Sequence, residues 1–246
     1  VEQQRRDDIP FMSSVVTGQI INFIKEYKAI EPDDVIAVGV SGGKDSMVML
    51  HALADIQNYF EIPFKLKAFT VALGFEGFDL TPVENLCKQI NVPYEIIETH
   101  IGEIVFEARK EKNPCSLCAN MRRGALNNAA KAAGCNKVAL GHNKDDVIET
   151  YLMSLFYEGR FNTFSPVTYL SKTELYVIRP LSFSYAKDAR YYRNLFELPT
   201  VENPCPVSGN TGRENIREFV KTQARDNKHF RANIFGAIKR NHISGW

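Results

Sequence analysis

Ser41-Gly-Gly-Lys-Asp-Ser46 stands between the β-branched run Val35-Ile-Ala-Val-Gly-Val40 and the apolar run Met47-Val-Met-Leu-His-Ala-Leu53. The first run has the length and composition of a buried strand, and the second suits a helix. Two glycines at such a junction let the backbone turn tightly and come close to a ligand. The hydroxyls of Ser41 and Ser46, with the free N–H groups that open the helix, then make a cradle for phosphate anions. The spacing is not that of the Walker loop, which places four residues between Gly and Gly-Lys. Ser41, Gly42, Gly43, Lys44, Asp45 and Ser46 are the candidate phosphate-binding residues; a glycine-rich turn without a ligand is the plain alternative.

The rest of the chain repeats this strand-then-helix order. Ile20, Ile21, Phe23 and Ile24 recur at near-helical spacing before Glu31-Pro-Asp-Asp34 breaks the pattern. Strands are expected at 64–71, 94–98, 137–140 and 176–179, and helices at 81–90, 121–133, 145–157 and up to Phe196. Residues 111–118 are polar and contain Pro114, so they are expected to form a loop, as is 199–212. Alternation of this kind implies an α/β fold, a mainly parallel sheet with helices on both faces. The expected organisation is one domain over 1–212 and a basic helical tail over 213–246 packed on it. Ligands of such sheets sit beyond the carboxyl ends of the strands, where the Ser41 loop falls.

Bulk composition excludes several classes. The chain has 246 residues, 44% hydrophobic and 24% charged, within globular norms. No stretch approaches the roughly 20 apolar residues that cross a bilayer, so no membrane role is expected. The opening, Val1 to Pro10, lacks the apolar centre of a secretory signal, and the cytoplasm is the expected location. With Val1 in place of an initiator Met, the numbering is expected to begin inside the native chain. Net charge is only +1, but from Arg213 onward eight basic residues face three acidic ones. Arg213, Arg217 and Lys221 recur every four residues, a helix face suited either to solvent or to a phosphate backbone. Whether the chain forms a homodimer is left open.

Gly141-His-Asn-Lys-Asp-Asp146 follows the fourth strand as the Ser41 loop follows the first, so both loops reach one sheet edge. The carboxylates of Asp145 and Asp146 suit Mg²⁺ bridging phosphates, and Asp45 is a further metal ligand or base. Acids at a helix start also simply complement its dipole. Five cysteines are present, two as Cys115-Ser-Leu-Cys118, and Cys205 lies between prolines. Cys87 and Cys135 have the context of buried thiols. Three thiolates are one short of a closed zinc or iron–sulfur site, which leaves structural zinc with His142 or another fourth ligand, a cluster with an open position, or a Cys115–Cys118 disulfide.

Together, Ser41-Gly-Gly-Lys-Asp-Ser46, Pro114-Cys-Ser-Leu-Cys118 with Met121-Arg-Arg-Gly124, Gly141-His-x-x-Asp-Asp146, Ile178-Arg-Pro-Leu181 and Cys205 resemble the tRNA 2-thiocytidine synthetase family of PP-loop ATP pyrophosphatases. The resemblance runs from about Thr17 to the tail. It implies a PP-loop fold and a 4Fe-4S cluster held by Cys115, Cys118 and Cys205, with one iron free. It also implies ATP- and Mg²⁺-dependent adenylation of the C2 oxygen of a cytidine in the tRNA anticodon loop, then replacement by sulfur. A cysteine desulfurase or free sulfide would be the donor. Gly141 and Arg122 join the loop residues at ATP, and Asp45 and Asp146 take metal or acid–base roles. Some members carry a second cysteine where this chain has Ser208. The same fold with a small-molecule substrate (desulfurised or amidated), or a zinc-stabilised nucleotide-binding module, are the competing expectations.

Overall fold

The computed structural model describes residues 2–108, 114–202, 204–205 and 212–246, with side chains over 15–106 and the later segments. Ser208 and most of its loop lie outside the described residues. Six strands form one sheet: β1 Asp34–Gly39, β2 Phe64–Ala72, β3 Tyr94–Glu98, β4 Lys137–Ala139, β5 Val167–Leu170 and β6 Leu175–Ile178. Their order is β3-β2-β1-β4-β6-β5, parallel throughout except for β5, which runs antiparallel to β6. The helices are α1 Glu2–Tyr27, α2 Lys44–Gln57, α3 Thr81–Gln89, α4 Ile101–Glu103, α5 Pro114–Ala132, α6 Lys144–Glu158, α7 Ala186–Leu195, α8 Gly212–Asp226 and α9 Phe230–Arg240. A π turn, Ile104–Ala108, extends α4.

Both sheet faces are covered because successive strand residues alternate between them. Ile36, Val38, Leu66, Ala68 and Ile178 face the core built with α1, α2 and α7, where Phe23, Leu50, Leu53 and Tyr192 are buried. Ala37, Phe69, Val138 and Val177 face the opposite side, against Leu126 and Ala130 of α5. A third cluster joins α6 to the tail helices through Val147, Ile148, Leu152, Ile216, Val220, Phe235, Ile238 and Trp246. From β1 the chain winds outward through β2 to β3, then returns to place β4 on β1's other side. The order therefore reverses between β1 and β4, and a crevice opens beyond their carboxyl ends.

Three expectations need correction. Residues 114–118 are not loop: the helix expected from Met121 begins at Pro114 and carries both cysteines. Strand β5 and the 101–108 segment were not expected. β5 is short and only half-buried, an edge strand closed on β6 by a turn in which Glu174 N–H donates to Leu170 O at 2.7 Å. Its burial pattern gives little period-2 signal to read. Finally, two residues of the basic tail face turn inward, as described below.

Candidate functional site

The Ser41 loop closes on itself before it can meet a ligand. Ser46 Oγ donates to Gly43 O at 2.8 Å and accepts from Ser41 N–H at 3.1 Å, while the two serine hydroxyls lie 3.2 Å apart. Gly43 caps α2 without any side-chain hydrogen bond, so the first N–H groups of that helix point out of the loop unanswered by a cap. Gly42 has φ +79°, and a Cβ there would lie 2.8 Å from Cβ of Val201. Only glycine combines that conformation with that approach. The neighbouring loop is as close: a Cβ on Gly141 would fall 3.1 Å from Ser46 N.

Between these loops and α5 lies a cavity of about 530 Å³. Its apolar wall is Phe69, Val71, Leu126 and Leu140; its polar rim includes Ser41, Lys44, Arg122, Arg123, His142 and Arg179. Arg123, His142, Phe164 and Arg179 were not singled out from the sequence as cavity residues. The Arg122-Arg123 pair and the strand-end position of Arg179 were the available signals. Burial and the guanidinium groups of Arg179, Arg213 and Arg123 push the His142 imidazole down to about 3, so it is neutral. Its Nδ1 is buried without a hydrogen-bond partner among the described residues, and its ring lies 4.9 Å from that of Phe164. On Phe164 also rests the Arg179 guanidinium, 5.0 Å from the ring centroid, lowered to about 10 by burial and by Arg123.

The acidic candidates divide by partner. Asp45 pairs with Lys44 at 2.7 Å within the loop. Asp145 accepts from Ala186 N–H at 2.8 Å, capping α7, and pairs with Arg231 at 3.0 Å. Asp146 accepts from Asn143 N–H at 2.9 Å while Asn143 Oδ1 accepts from Asp146 N–H at 3.2 Å, a reciprocal cap that starts α6. The second Asp146 oxygen faces Arg213 at 3.5 Å. Burial raises the Asp146 carboxyl; Asn143 N–H and Arg213 oppose this, and the Asp45 carboxylate adds to it. The acids of the two loops are therefore close enough to repel, a pair that a cation between them would relieve.

Cys115 is exposed on the first turn of α5, and Cys118 is buried three residues on, against Leu73, Ile101 and Val105. The unexpected 101–108 segment thus forms the backing of the cysteine helix. Burial pushes the Cys118 thiol up, Arg122 pulls it down, and the charges of Cys205 and Cys115 raise it further. Cys205 belongs to a strand of loop laid on the phosphate loop: Val201 N–H donates to Gly42 O at 2.9 Å, and Pro204 lines a small pocket with Ser41 and Arg122. Among the described residues, no group of three His, Cys, Asp or Glu side chains is gathered closely enough to hold a metal ion as it stands. Cys115, Cys205 and the Arg122 guanidinium all act electrostatically on the Cys118 thiol, and three thiols are a donor set that suits a soft, thiolate-bound centre. Cys87 and Cys135 lie in the two sheet cores, where burial raises both thiols, Cys87 to about 11.

A family model described as the PP-loop domain matches residues 12–224. The chain is 34% identical over 226 residues to the tRNA-cytidine(32) 2-sulfurtransferase of Ralstonia pickettii, spanning 90% of this chain and 71% of that protein. The protein of the same name from Pelobacter propionicus is 33% identical over 222 residues, 89% of this chain and 82% of the relative. Among solved structures, the U34-tRNA thiolase NcsA of Methanococcus maripaludis, determined with its 4Fe-4S cluster, shares the fold. It superposes with a TM-score of 0.77 at 22% identity, covering 93% of this chain and 78% of that one. The NH3-dependent NAD synthetase of Campylobacter jejuni gives 0.53 at 20% identity, over 93% of this chain and 92% of its own.

Proposed function

The chain belongs to the PP-loop family, in the group of the tRNA-cytidine(32) 2-sulfurtransferases, and from that premise we propose that this transferase thiolates a cytidine in a tRNA anticodon loop at the expense of ATP. The cytidine C2 oxygen attacks the α-phosphorus of ATP, and pyrophosphate leaves. Sulfur then bonds to C2, and AMP departs with the former C2 oxygen.

The chain's own groups divide this work. The N–H groups opening α2, with the Ser41 and Ser46 hydroxyls, hold the phosphates where negative charge must be met. The apolar wall of Phe69, Val71, Leu126 and Leu140 takes the adenine, and glycine at 42 and 141 lets Val201 and the Ser46 backbone pack closely against the two loops. Asp45 and Asp146 would hold Mg²⁺ or serve in acid–base work, the metal when bound supplying charge to offset the phosphates. Lys44 and Arg122 offset phosphate charge. Cys115, Cys118 and Cys205 would hold the 4Fe-4S cluster, which when bound would carry sulfide from an external donor to C2. Arg122, beside Cys118, favours the thiolate form that such a ligand needs.

The observation that carries this reading is the seam between the two chemistries. The segment leading to Cys205 donates a hydrogen bond to the glycine turn at Gly42, and Pro204, Ser41 and Arg122 line one pocket. That contact supports a reading in which ATP and sulfur meet at the same end of the sheet. The test is iron and sulfide analysis of protein purified without oxygen. Cys205→Ala should lose nearly all iron while binding ATP as the parent does, and Cys87→Ser should keep its iron. Full iron content in Cys205→Ala removes that residue from the ligand set; equal iron loss in Cys87→Ser reverses the division of the thiols.

A further inference from the structure

Lys44 and Asp45 have a second side. Besides the nucleotide cavity they line another, of about 680 Å³, walled by α7 and by α8 with the start of α9. Its acids are Asp45, Asp145, Asp146 and Glu149. Each is already answered: Asp45 by Lys44 at 2.7 Å, Asp145 by Arg231 at 3.0 Å, Asp146 by Arg213 at 3.5 Å and Glu149 by Arg217 at 3.1 Å. The remaining cations of the walls are not spent in this way. Lys187 and Arg190, one turn apart on α7, and Lys228, just beyond α8, are exposed and form no ion pair with any described residue. Lys221 reaches only Glu218 of its own helix, at 3.3 Å, an exposed pair of the kind that contributes little.

Lys187 and Arg190 of α7 thus line one side of a wide cleft, and Lys228, between α8 and α9, with the weakly paired Lys221 of α8 lines the other. Each of its acids lies beside a cation, and Lys44 of the phosphate loop stands at its inner end. A single small anion needs one such wall, whereas a chain of phosphates meets both. We propose that this cleft between α7 and α8 is the track for the phosphate backbone of the RNA substrate, and that Lys187, Arg190 and Lys228 hold it there. The proposal rests on the reading of RNA as substrate. It places the RNA on the face of the loop opposite the adenine wall, so that the backbone ends at Lys44 and the target base passes the loop towards the nucleotide. Phosphate contacts of this kind position the duplex or loop and carry no sequence information.

The experiment is binding of unmodified, fluorescently labelled tRNA to the full chain, purified without oxygen, over a series of salt concentrations. The triple variant Lys187→Glu, Arg190→Glu, Lys228→Glu is compared with Lys25→Glu, Lys65→Glu, Lys172→Glu, which carries the same charge change on exposed lysines away from the cleft. ATP binding is measured alongside as a check on folding. Expected for the cleft variant is affinity weaker by roughly tenfold or more, with the slope of log K against log salt reduced by about 2, since each phosphate contact contributes roughly 0.7 to 0.9. The control variant should keep most of its affinity. If the cleft variant binds tRNA as the parent does, or the control loses as much, the track lies elsewhere. If the parent itself binds no tRNA at any salt, the functional reading fails as well, and the two failures are told apart.

Discussion

His142 shows how a single side chain ties the site to stability. Folding holds its imidazole neutral down to about pH 3, whereas in the unfolded chain it takes a proton below roughly 6.5. The unfolded state then binds more protons, so the contribution of His142 is complete above about pH 6.5. It is lost as pH falls towards 3, at up to about 1.4 kcal/mol per pH unit. Asp146 and Glu149 act oppositely, because burial raises both carboxyls and the folded state holds their protons at higher pH. Comparing a variant with its parent removes that opposing background. Between pH 7 and pH 5, His142→Asn should lose about 2 kcal/mol less stability than the parent in urea unfolding; equal losses would show that the imidazole is protonated in the fold. The identity of this residue was visible within Gly141-His-Asn-Lys-Asp-Asp146, but not its environment. Burial, reinforced by three arginines from separate segments, sets its state, and no local pattern announces that. Asp146 is the converse case. Its position after a strand reads equally as metal ligand and as helix start, and its reciprocal bond with Asn143 leaves one oxygen for the second role.

At the scale of elements, the end of the sheet away from the site is tied by a buried ion pair. Lys137 on β4 lies 2.8 Å from Asp34 on β1, both nearly inaccessible, and Lys137 also donates to Ala29 O at 3.2 Å. Asn136 Nδ2 donates to Asp34 at 2.6 Å, and so does Glu31 N–H, also at 2.6 Å. These bonds hold β1 and β4 side by side, and it is between those two strands that the site opens at the opposite end. Lys137→Met should cost about 3 to 5 kcal/mol, since it leaves Asp34 charged and buried, whereas Asp34→Asn with Lys137→Met should recover much of that. Chemical denaturation of both variants decides it, and a Lys137→Met midpoint unchanged from the parent would count against the pair. The strands themselves were legible from the β-branched runs at 35–40 and 64–71. The start of α5 was not, because its first turn is polar, contains Pro114, and is buried on one side only through the 101–108 segment. That segment packs by close approach: a Cβ on Gly102 would fall 2.8 Å from Leu73 O. A contact of backbone with backbone leaves little trace in hydrophobic periodicity.

For the whole molecule, the order of strands and helices was enough to place two loops at one sheet edge, and the reversal between β1 and β4 turns that edge into a crevice. The role of the tail was harder to read. Its face of Arg213, Arg217 and Lys221 has the spacing of a surface stripe. Yet Arg213 and Arg217 reach into α6, where Arg213 Nη2 donates to Thr150 at 2.9 Å and Arg217 holds buried Glu149. A charge face looks the same in sequence whether its partner is solvent, RNA or the chain's own acids. Beside these arginines the tail buries Ile216, Val220, Phe235, Ile238 and Trp246 against α6, with Trp246 Nε1 donating to Phe164 O at 2.8 Å. Five such side chains at roughly 1.5 to 3 kcal/mol each amount to about 10 kcal/mol of burial, comparable to the whole stability of a domain. A chain ending at residue 212 should therefore fail to fold cooperatively and should bind neither ATP nor tRNA, even though every loop and cysteine of the site is still present. Circular dichroism and thermal unfolding of that shortened chain provide the check. A cooperative transition near that of the full chain would make the last two helices an appendage, and would free Asp146 and Glu149 of their arginines in a protein still able to take up nucleotide.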